Sequence, residues 1–284
     1  EDEYGLNPFS PVGDDGATGD PDGDGWANLA EYRFYQKTGE LVDPTNYASG
    51  GQVIPLHRGW NLISYTVNKV WYREYEPTAT MSNVQMEQIT GDSWGNFYNF
   101  EKFKHSVGNF IASMARHPDS AWTYYGYYQP DWQNSLDYTS PDEGLWINMA
   151  AEDMFVLRGP RVTPAVTYPR ISLQSGWNMI GVLPQTQFYV EGYDHDAEGP
   201  SDMIYSEGYG SVEEMLKAAF NLTDTEFNKI DCIQILYPPP FGVRAYDSEV
   251  PWFFWSLKFV MPGHGCWIKL KAGESLDLHY KEPE

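Results

Sequence analysis

One pattern of apolar and polar positions occurs twice along the chain. Residues 53–64 and 170–181 both alternate apolar and polar residues up to a Gly-Trp-Asn triplet, and both then continue as an apolar run. Residues 135–148 and 256–269 form a second matching pair, and each contains Gly-x-Trp-Ile near its end. The two elements follow in the same order at a similar spacing in both copies. This recurrence predicts a duplicated domain rather than a short solenoid unit.

Both elements have the alternation of β-strands, and each is entered through a glycine or a Pro/Gly turn. We expect the two strands to be neighbours within each copy. Asn61 and Asn178 follow the tryptophan in each copy and are expected to make structural side-chain-to-backbone hydrogen bonds. The tryptophans of these strands occupy strand-period positions, so core packing is favoured over stacking on a ligand. The four residues are Trp60, Trp146, Trp177 and Trp267.

Four stretches carry helical signals. A short helix is predicted over 28–38, packed through Leu29, Tyr32 and Phe34. A second is expected over 101–116, where apolar residues recur on one side. Ser211 and Glu214 have the spacing of a capping box that opens a third helix, and residues 224–229 can add another turn.

These elements predict a mainly β fold with two duplicated β-rich, sandwich-like domains and short helical inserts. A single EF-hand-type calcium loop and a short helix precede the domains. The expected organisation is an extended acidic arm (1–19), a calcium-loop segment (20–50), a first repeat (51–159), a linker (160–169) and a second repeat (170–284).

Residues 20–31 have the ligand spacing of a calcium loop. Carboxylates stand at loop positions 1, 3 and 5, glycine at 6, an amide at 9 and glutamate at 12, which suits a hard cation with six to eight oxygen ligands. Gly25 is expected to make the tight turn. A solvated acidic turn is the alternative, and six matching positions favour calcium. The predicted ligands are Asp20, Asp22 and Asp24, the backbone carbonyl of Trp26, Asn28 directly or through water, and bidentate Glu31.

The stretch Asp-Pro-Asp-Gly-Asp-Gly-Trp-Ala-Asn-Leu-Ala-Glu-Tyr resembles the bacterial thrombospondin type 3-like calcium repeat, and dockerins share its loop. The resemblance covers residues 20–46. It implies that the Asp-Pro segment after the helix folds back towards the metal, which makes Asp43 a further possible ligand. Members of these families usually carry loops in tandem, whereas this chain has one complete loop. A structural clamp is therefore expected, and the single loop weakens a dockerin assignment, because cohesin binding in that family uses the duplicated unit.

The duplicated elements resemble the Gly-Trp-Asn and Gly-Tyr-Trp-Ile-Lys modules of large secreted bacterial proteins. Leu145 and Cys266 stand where those modules usually have tyrosine. The resemblance implies an exported location and no catalytic activity.

Charge and length narrow the possible partners. The 284 residues include 18 Lys+Arg against 40 Asp+Glu, a formal net charge of −22. Such a chain repels phosphate backbones and anionic lipid, so we expect no nucleic-acid partner. No apolar run has the length of a membrane span. The chain starts at Glu1 rather than Met, and we interpret it as a processed or excised part of an exported, extracellular or cell-surface protein.

Three further features leave alternatives open. Cys232 and Cys266 lie in strand-like runs, and either a disulfide or two buried thiols fits them. The acidic loop 193–202 is either a second cation site or a solvated turn. The aromatic runs 122–132 and 252–255 suit core packing, a protein interface or stacking on sugar rings.

No catalytic constellation is recognisable. The six histidines lack metal-ligand spacing, and neither a nucleophile elbow nor a phosphate loop occurs. We therefore expect a non-enzymatic, extracellular calcium-binding module for structure, adhesion or surface assembly, with other protein subunits, cell-surface components or further copies of itself as partners. The alternative is a carbohydrate-binding module of a secreted polysaccharide-active protein. A hydrolase would require two carboxylates that face each other across a cleft.

Overall fold

The computed structural model describes residues 13, 16–17, 19–39, 42–46, 50–67, 71–72, 110–116, 122–126, 138–139, 143–161, 171–182, 186–192, 205–237, 242–261 and 263–278. Several expectations lie outside these residues: most of the arm 1–19 (residues 1–12, 14–15 and 18), the linker from residue 162 on, the acidic loop 193–202, and Trp132 with most of its aromatic run. Within the described part of the chain, no helix is long and apolar enough to cross a membrane.

The structure confirms a mainly β fold built from several small sheets. Among the described residues, helix α1 (Asn28–Thr38) comes before all of the strands. It ends at Gly39, whose φ of 70° is the left-handed conformation that favours glycine. Phe34 is buried beneath it as expected, but Tyr32 is 56% exposed and does not pack.

The first repeat contains eight described strands. They are β1 (Gly51–Leu56), β2 (Gly59–Ile63), β3 (Trp71–Tyr72), β4 (Phe110–Arg116), β5 (Trp122–Gly126), β6 (Tyr138–Thr139), β7 (Leu145–Met149) and β8 (Asp153–Arg158). A four-stranded sheet has the order β2-β7-β4-β5, β1 pairs with β8, and β3 pairs with β6. The expected neighbours, the Gly-Trp-Asn and Gly-x-Trp-Ile strands, are the pair β2 and β7.

The described residues of the second repeat form nine strands. They are β9 (Ile171–Leu173), β10 (Gly176–Gly181), β11 (Thr186–Val190), β12 (Tyr205–Tyr209), β13 (Ile230–Tyr237), β14 (Gly242–Asp247), β15 (Phe259–Val260), β16 (Gly265–Leu270) and β17 (Leu276–Leu278). Its four-stranded sheet has the order β10-β16-β13-β14, β9 pairs with β17, and β11 lies between β12 and β15.

The two four-stranded sheets agree in strand order and in detail. In each, the Gly-Trp-Asn strand is an edge and the Gly-x-Trp-Ile strand lies next to it. Each third strand carries a register shift at its start, between Phe110 and Ala112 in the first repeat and between Ile230 and Cys232 in the second. A bulge at the same place in two copies is a feature of the shared framework.

The helix predicted over 101–116 is wrong where the structure describes it, because Phe110–Arg116 is strand β4. The backbone N–H and C=O groups of β4 are hydrogen-bonded to β5 on one side and to β7 on the other. The spacing of apolar residues alone does not reveal these long-range partners. The helices of the second repeat are confirmed as α2 (Val212–Ala219) and α3 (Asp224–Phe227). Ser211 Oγ accepts from the N–H of Glu214 at 3.2 Å, as a helix cap does.

The four strand tryptophans are not core anchors, which corrects the sequence-based expectation. Trp60 is 46% exposed and Trp177 is 36% exposed. Each makes an edge-to-face contact with its neighbour on the next strand, Trp146 at 6.2 Å and Trp267 at 6.1 Å between ring centroids. The cores instead lie on the opposite sheet faces, among residues such as Ile147 and Ile268.

The two repeats meet through residues at equivalent register positions. A Cβ added at Gly144 would lie 2.6 Å from Cγ of Met179 and 3.0 Å from the carbonyl oxygen of Ile180. In the other repeat, a Cβ added at Gly265 would lie 2.6 Å from the side chain of Leu62 and 3.0 Å from the carbonyl oxygen of Ile63. The junction therefore has approximate twofold symmetry, with a glycine of each repeat pressed onto the sheet of the other.

Candidate metal centre

The calcium-loop segment turns around the first predicted ligand. Oδ1 of Asp20 accepts backbone N–H groups from Gly23 at 2.9 Å and Asp24 at 3.1 Å, and Oδ2 accepts from Gly25 at 2.9 Å. Gly25 has a φ of 88°, so the predicted tight turn is made in a conformation that L side chains rarely adopt. Asp22 and Asp24 each accept a hydrogen bond from the backbone N–H two residues further along the chain, as aspartates in tight turns commonly do.

The turn gathers carboxylates into one cluster. Ligand oxygens of Asp20, Asp22 and Asp24 lie within 4.8 Å of one another and can hold a metal ion. Glu31, from the first turn of α1, is only 2% exposed. Among the described residues, neither Oε1 nor Oε2 of Glu31 has a hydrogen-bond partner, and nor does Oδ2 of Asp22. Buried carboxylate oxygens without donors are costly, and a bound cation removes that cost.

The electrostatics point the same way. Burial, reinforced by the neighbouring aspartates, raises the pKa of Glu31 to about 8. Burial raises the pKa of Asp24 to about 7, and the charges of Asp22 and Asp20 add to the effect. Burial also raises the pKa of Asp22 to about 6. Burial and mutual repulsion make the ionised carboxylates of this cluster unfavourable. A divalent cation bound among them would stabilise the ionised forms, so the cluster attracts such an ion.

The helix that carries Glu31 is anchored by backbone groups from before the loop. The N–H of Asn28 donates to the carbonyl of Gly19 at 2.9 Å, and that of Leu29 donates to Ala17 at 3.0 Å. Nδ2 of Asn28 donates to the carbonyl of Gly16 at 2.8 Å, so its oxygen is the amide atom that it can offer to a cation. The described end of the arm thus folds back against the start of α1.

Trp26 has a second role besides the predicted one of a backbone carbonyl ligand. Its side chain is buried in the core of the first repeat with Ile54, Leu56 and Leu157 among others. Its Nε1 donates to the carbonyl of Gly159 at 2.9 Å. A large apolar ring inside an acidic loop was the signal for this contact. The loop is therefore part of the first repeat's core rather than an attachment to its surface.

Two further contacts join the loop to both ends of the first repeat. The N–H of Arg161 donates to the carbonyl of Asp24 at 2.8 Å, so the start of the predicted linker is held at the loop. At the other end, a Cβ added to Gly50 would lie 2.2 Å from Cδ1 of Trp26 and 2.6 Å from Oδ2 of Asp24. The residues just before β1 and just after β8 therefore both touch the loop.

Asp43 lies close enough for its charge to contribute to the raised pKa of both Asp22 and Glu31. Its Oδ1 accepts from the N–H of Thr45 at 2.9 Å and from the Thr45 hydroxyl at 2.7 Å. The Asp-Pro segment after α1 thus returns towards the carboxylate cluster, and a ligand role for Asp43 stays a prediction.

The structure leaves no disulfide between Cys232 and Cys266, which are both buried free thiols. Their strands are neighbours, but Cys232 is opposite Lys269 and Cys266 is opposite Ile235. An offset of three residues along a strand is about 10 Å and also directs the two side chains to opposite sheet faces. A bridge needs Cα atoms closer than about 7 Å.

The site thus combines clustered carboxylates, a buried glutamate with unsatisfied oxygens, and a fixed turn. This donor set is all oxygen and suits a hard cation. A scan against family models, and comparisons with curated proteins and with solved structures, give no match for this chain.

Proposed function

We propose that the chain is a non-enzymatic, extracellular structural module whose first repeat is clamped by one calcium ion, and that it serves adhesion or assembly at a cell surface. The observation that carries the proposal is Glu31, a buried carboxylate whose two oxygens have no hydrogen-bond partner among the described residues and which feels the charges of the three clustered aspartates. The proposed ligands are Asp20, Asp22, Asp24, the Trp26 carbonyl, Asn28 and Glu31.

Calcium is favoured over magnesium by the number of oxygens on offer. Four carboxylates and an amide stand within one twelve-residue loop, which supplies the six to eight ligands that calcium takes. Magnesium usually keeps several waters and uses one or two carboxylates.

A structural role is favoured over a sensor role by what the loop contacts. The indole of Trp26 is buried in the first repeat, and the backbones of Arg161 and Gly50 lie against Asp24. An ion that holds this loop closed stabilises the packing of Trp26, because the loop backbone and its side chain are ordered together. The spacing of the sequence motifs and the resemblance to secreted modules support the extracellular, non-catalytic part of the proposal.

Isothermal titration of the metal-free protein with calcium tests the proposal, with Glu31→Gln as the variant. We expect one calcium per chain in the wild type and a loss of affinity of at least tenfold in the variant, since the bidentate ligand is removed. Glu213→Gln is the matched control, because Glu213 is also in the first turn of a helix but is exposed. The clamp would be refuted if the wild type released no heat on calcium addition, or if Glu31→Gln and Glu213→Gln bound calcium equally well.

A further inference from the structure

One short segment of the first repeat contacts three other parts of the molecule. Residues 63–67 begin at the last residue of β2, and all five are buried. We call them the bridging segment. A buried backbone needs hydrogen-bond partners, so the partners of this segment show what it holds together.

The start of the bridging segment is bonded to the second repeat. The N–H of Ser64 donates to the carbonyl of Gly263 at 3.1 Å, and Ile63 forms an antiparallel bridge with His264. The Ser64 hydroxyl donates to the carbonyl of His264 at 2.9 Å and accepts from the N–H of Val182 at 3.0 Å. One buried serine therefore joins the first repeat to the end of β10 and to the start of β16.

The end of the bridging segment is connected to the calcium loop. Val67 forms an antiparallel bridge with Arg161, the described residue at the start of the predicted linker. The N–H of Arg161 donates to the carbonyl of Asp24 at 2.8 Å, and Arg161 is buried. One residue therefore lies between the bridging segment and a predicted calcium ligand.

Strand β1 supplies a second connection. A Cβ added at Gly50, just before β1, would lie 2.6 Å from Oδ2 of Asp24. Two residues further on, Oε1 of Gln52 accepts from the N–H of Thr66 at 2.8 Å. A Cβ added at Gly263 would lie 3.2 Å from Nε2 of the same glutamine. Gln52 therefore lies against both the bridging segment and the second repeat.

Both connections run through closely packed groups, which transmit a displacement rather than absorb it. The ligand oxygens of Asp20, Asp22 and Asp24 lie within 4.8 Å of one another. When these carboxylates are ionised without a cation between them, they repel one another and favour an open loop. An open loop carries Asp24 away from Arg161 and Gly50, which loosens both connections at their first contact.

We propose that calcium in the loop is coupled to the docking of the second repeat on the first. The occupied loop favours the docked arrangement, and in the metal-free protein docked and separated arrangements are both populated. This coupling rests on the calcium site of the proposed function and extends its effect from the first repeat to the junction. An ion shifts such an equilibrium only as far as it binds one arrangement more tightly than the other.

The coupling is reciprocal, so a weaker junction must also weaken calcium binding. The apparent Kd rises as the fraction of docked metal-free molecules falls. If about half of these molecules are docked, a junction weakened about fivefold leaves about one sixth docked and raises the Kd about threefold. Substitutions at the junction therefore report on the calcium loop without touching a ligand.

Isothermal titration of the full chain with calcium measures this effect. We expect the Kd to rise about threefold in Ser64→Ala, which loses the hydroxyl at the junction. It should rise about tenfold in Gly265→Ala, whose added Cβ would lie 2.6 Å from the side chain of Leu62. Ser256→Ala is the matched control. The Ser256 hydroxyl also accepts a backbone N–H, that of Ala245 at 2.9 Å, but on β14 at the far edge of the sheet, so the control should bind calcium as the wild type does.

Hydrogen exchange of the wild type, measured by mass spectrometry with and without calcium, observes the junction directly. On calcium removal we expect the bridging segment and the facing residues 180–182 and 263–266 to exchange at least about tenfold faster. Helices α2 and α3, in the interior of the second repeat, should change by less than about twofold. Small-angle X-ray scattering should show a larger radius of gyration for the metal-free protein.

The outcomes separate the coupling from the clamp. Wild-type calcium affinity in both Ser64→Ala and Gly265→Ala, with exchange of the bridging segment unchanged by calcium, would overturn the coupling and leave the clamp intact. Equal weakening by Ser256→Ala and Ser64→Ala would also overturn the coupling, because it would trace the effect to the general stability of the second repeat. A wild type that binds no calcium would refute the clamp and the coupling together.

Discussion

In the part of the chain that the structure describes, the two repeats have the same strand framework but draw core residues from different segments. Both sheets have the same order and the same bulge, and both position an asparagine after the Gly-Trp pair. In the second repeat, α2 and α3 add Met215, Leu216, Phe220 and Phe227 to the core. In the first, a residue from outside the duplicated unit, Trp26, is part of the core. Among the described residues, the same framework thus packs against its own insert in the second repeat and against the preceding acidic loop in the first.

The largest expected effect comes from removing the ring on which each core depends. Trp26→Ala should destabilise the first repeat by about 3–5 kcal/mol, and Phe220→Ala should destabilise the second by a similar amount. Hydrogen exchange measured by mass spectrometry should show faster exchange in 50–67 and 143–161 for the first variant, and in 205–237 for the second.

This pair of variants also tests whether the repeats unfold separately. Exchange that rises equally in both repeats for either variant would contradict the comparison and would show one cooperative unit. Gly144 and Gly265 each approach the opposite repeat closely, and this contact is what would couple the unfolding of the two repeats.

Calcium should act mainly on the first repeat, and its effect should depend on pH. The raised pKa values, about 6 for Asp22, about 7 for Asp24 and about 8 for Glu31, mean that the metal-free folded state retains protons which the unfolded chain loses near pH 4. The stability of the metal-free protein therefore falls as pH rises from about 4 to about 8. Calcium replaces those protons, so the stabilisation that it provides grows over the same range.

Scanning calorimetry measures this effect. At about one hundred times the dissociation constant, calcium adds about 2.7 kcal/mol, which is about 5–10 °C in Tm at pH 8. The shift should be much smaller at pH 5, where protons compete for the carboxylates. A shift in Tm that is the same at both pH values, or a slowing of exchange in 205–237 as large as in 143–161, would contradict a clamp confined to the first repeat.

The junction between the repeats should respond equally to equivalent changes. Gly144→Ala and Gly265→Ala each force a methyl group to within 3.0 Å of a backbone oxygen of the other repeat. Overpacking of this kind costs about 1–3 kcal/mol, and we expect the two values to agree within error. Urea denaturation of the calcium-loaded protein gives both numbers. Gly210→Ala is the control, because a Cβ there meets only the carboxylate of Glu214, at 3.2 Å and away from the junction. A large effect from only one of the two glycines would break the approximate symmetry.

Local patterns revealed part of this architecture because local physics determines it. The carboxylate spacing, the turn at Gly25 and the start of α2 at Ser211 all depend on residues within one turn of each other. The pairing of β2 with β7 followed from the duplication, because two copies with the same order must satisfy the same neighbours.

The remaining features depend on contacts between distant residues. Trp60 and Leu62 share one face of β2, while Ile63 belongs to the other, and both faces are apolar in sequence. Alternation cannot indicate which face is buried when a second repeat covers only part of one face. The strand Phe110–Arg116 was predicted as a helix because its apolar spacing fits both periods.

The smallest expected difference concerns the asparagine that both repeats share. Oδ1 of Asn61 accepts from the N–H of His57 at 2.8 Å, while Nδ2 donates to the carbonyls of His57 and Gly59. Asn178 makes the equivalent bonds with Gln174 and Gly176. This side chain closes the tight turn before each strand and stands in for missing backbone hydrogen bonds.

The two asparagines differ in burial, and their substitutions separate the bond from its surroundings. Asn61 is buried, so Asn61→Ala leaves polar groups that water reaches poorly and should cost about 2 kcal/mol; half-buried Asn178 should cost about 1 kcal/mol. Asn→Asp at each position is the matched change, because it keeps the acceptor and removes the donor. Chemical denaturation of all four variants measures the difference. The calcium loop contacts Gly50, at the start of β1, whereas the Asn61 turn follows the other end of that strand, about 20 Å away. The gap between Asn61→Ala and Asn178→Ala should therefore persist when calcium is removed, because the turn is protected by its own sheet. A gap that narrows in the metal-free protein would contradict a clamp that acts on Trp26 and its neighbours and not on this turn.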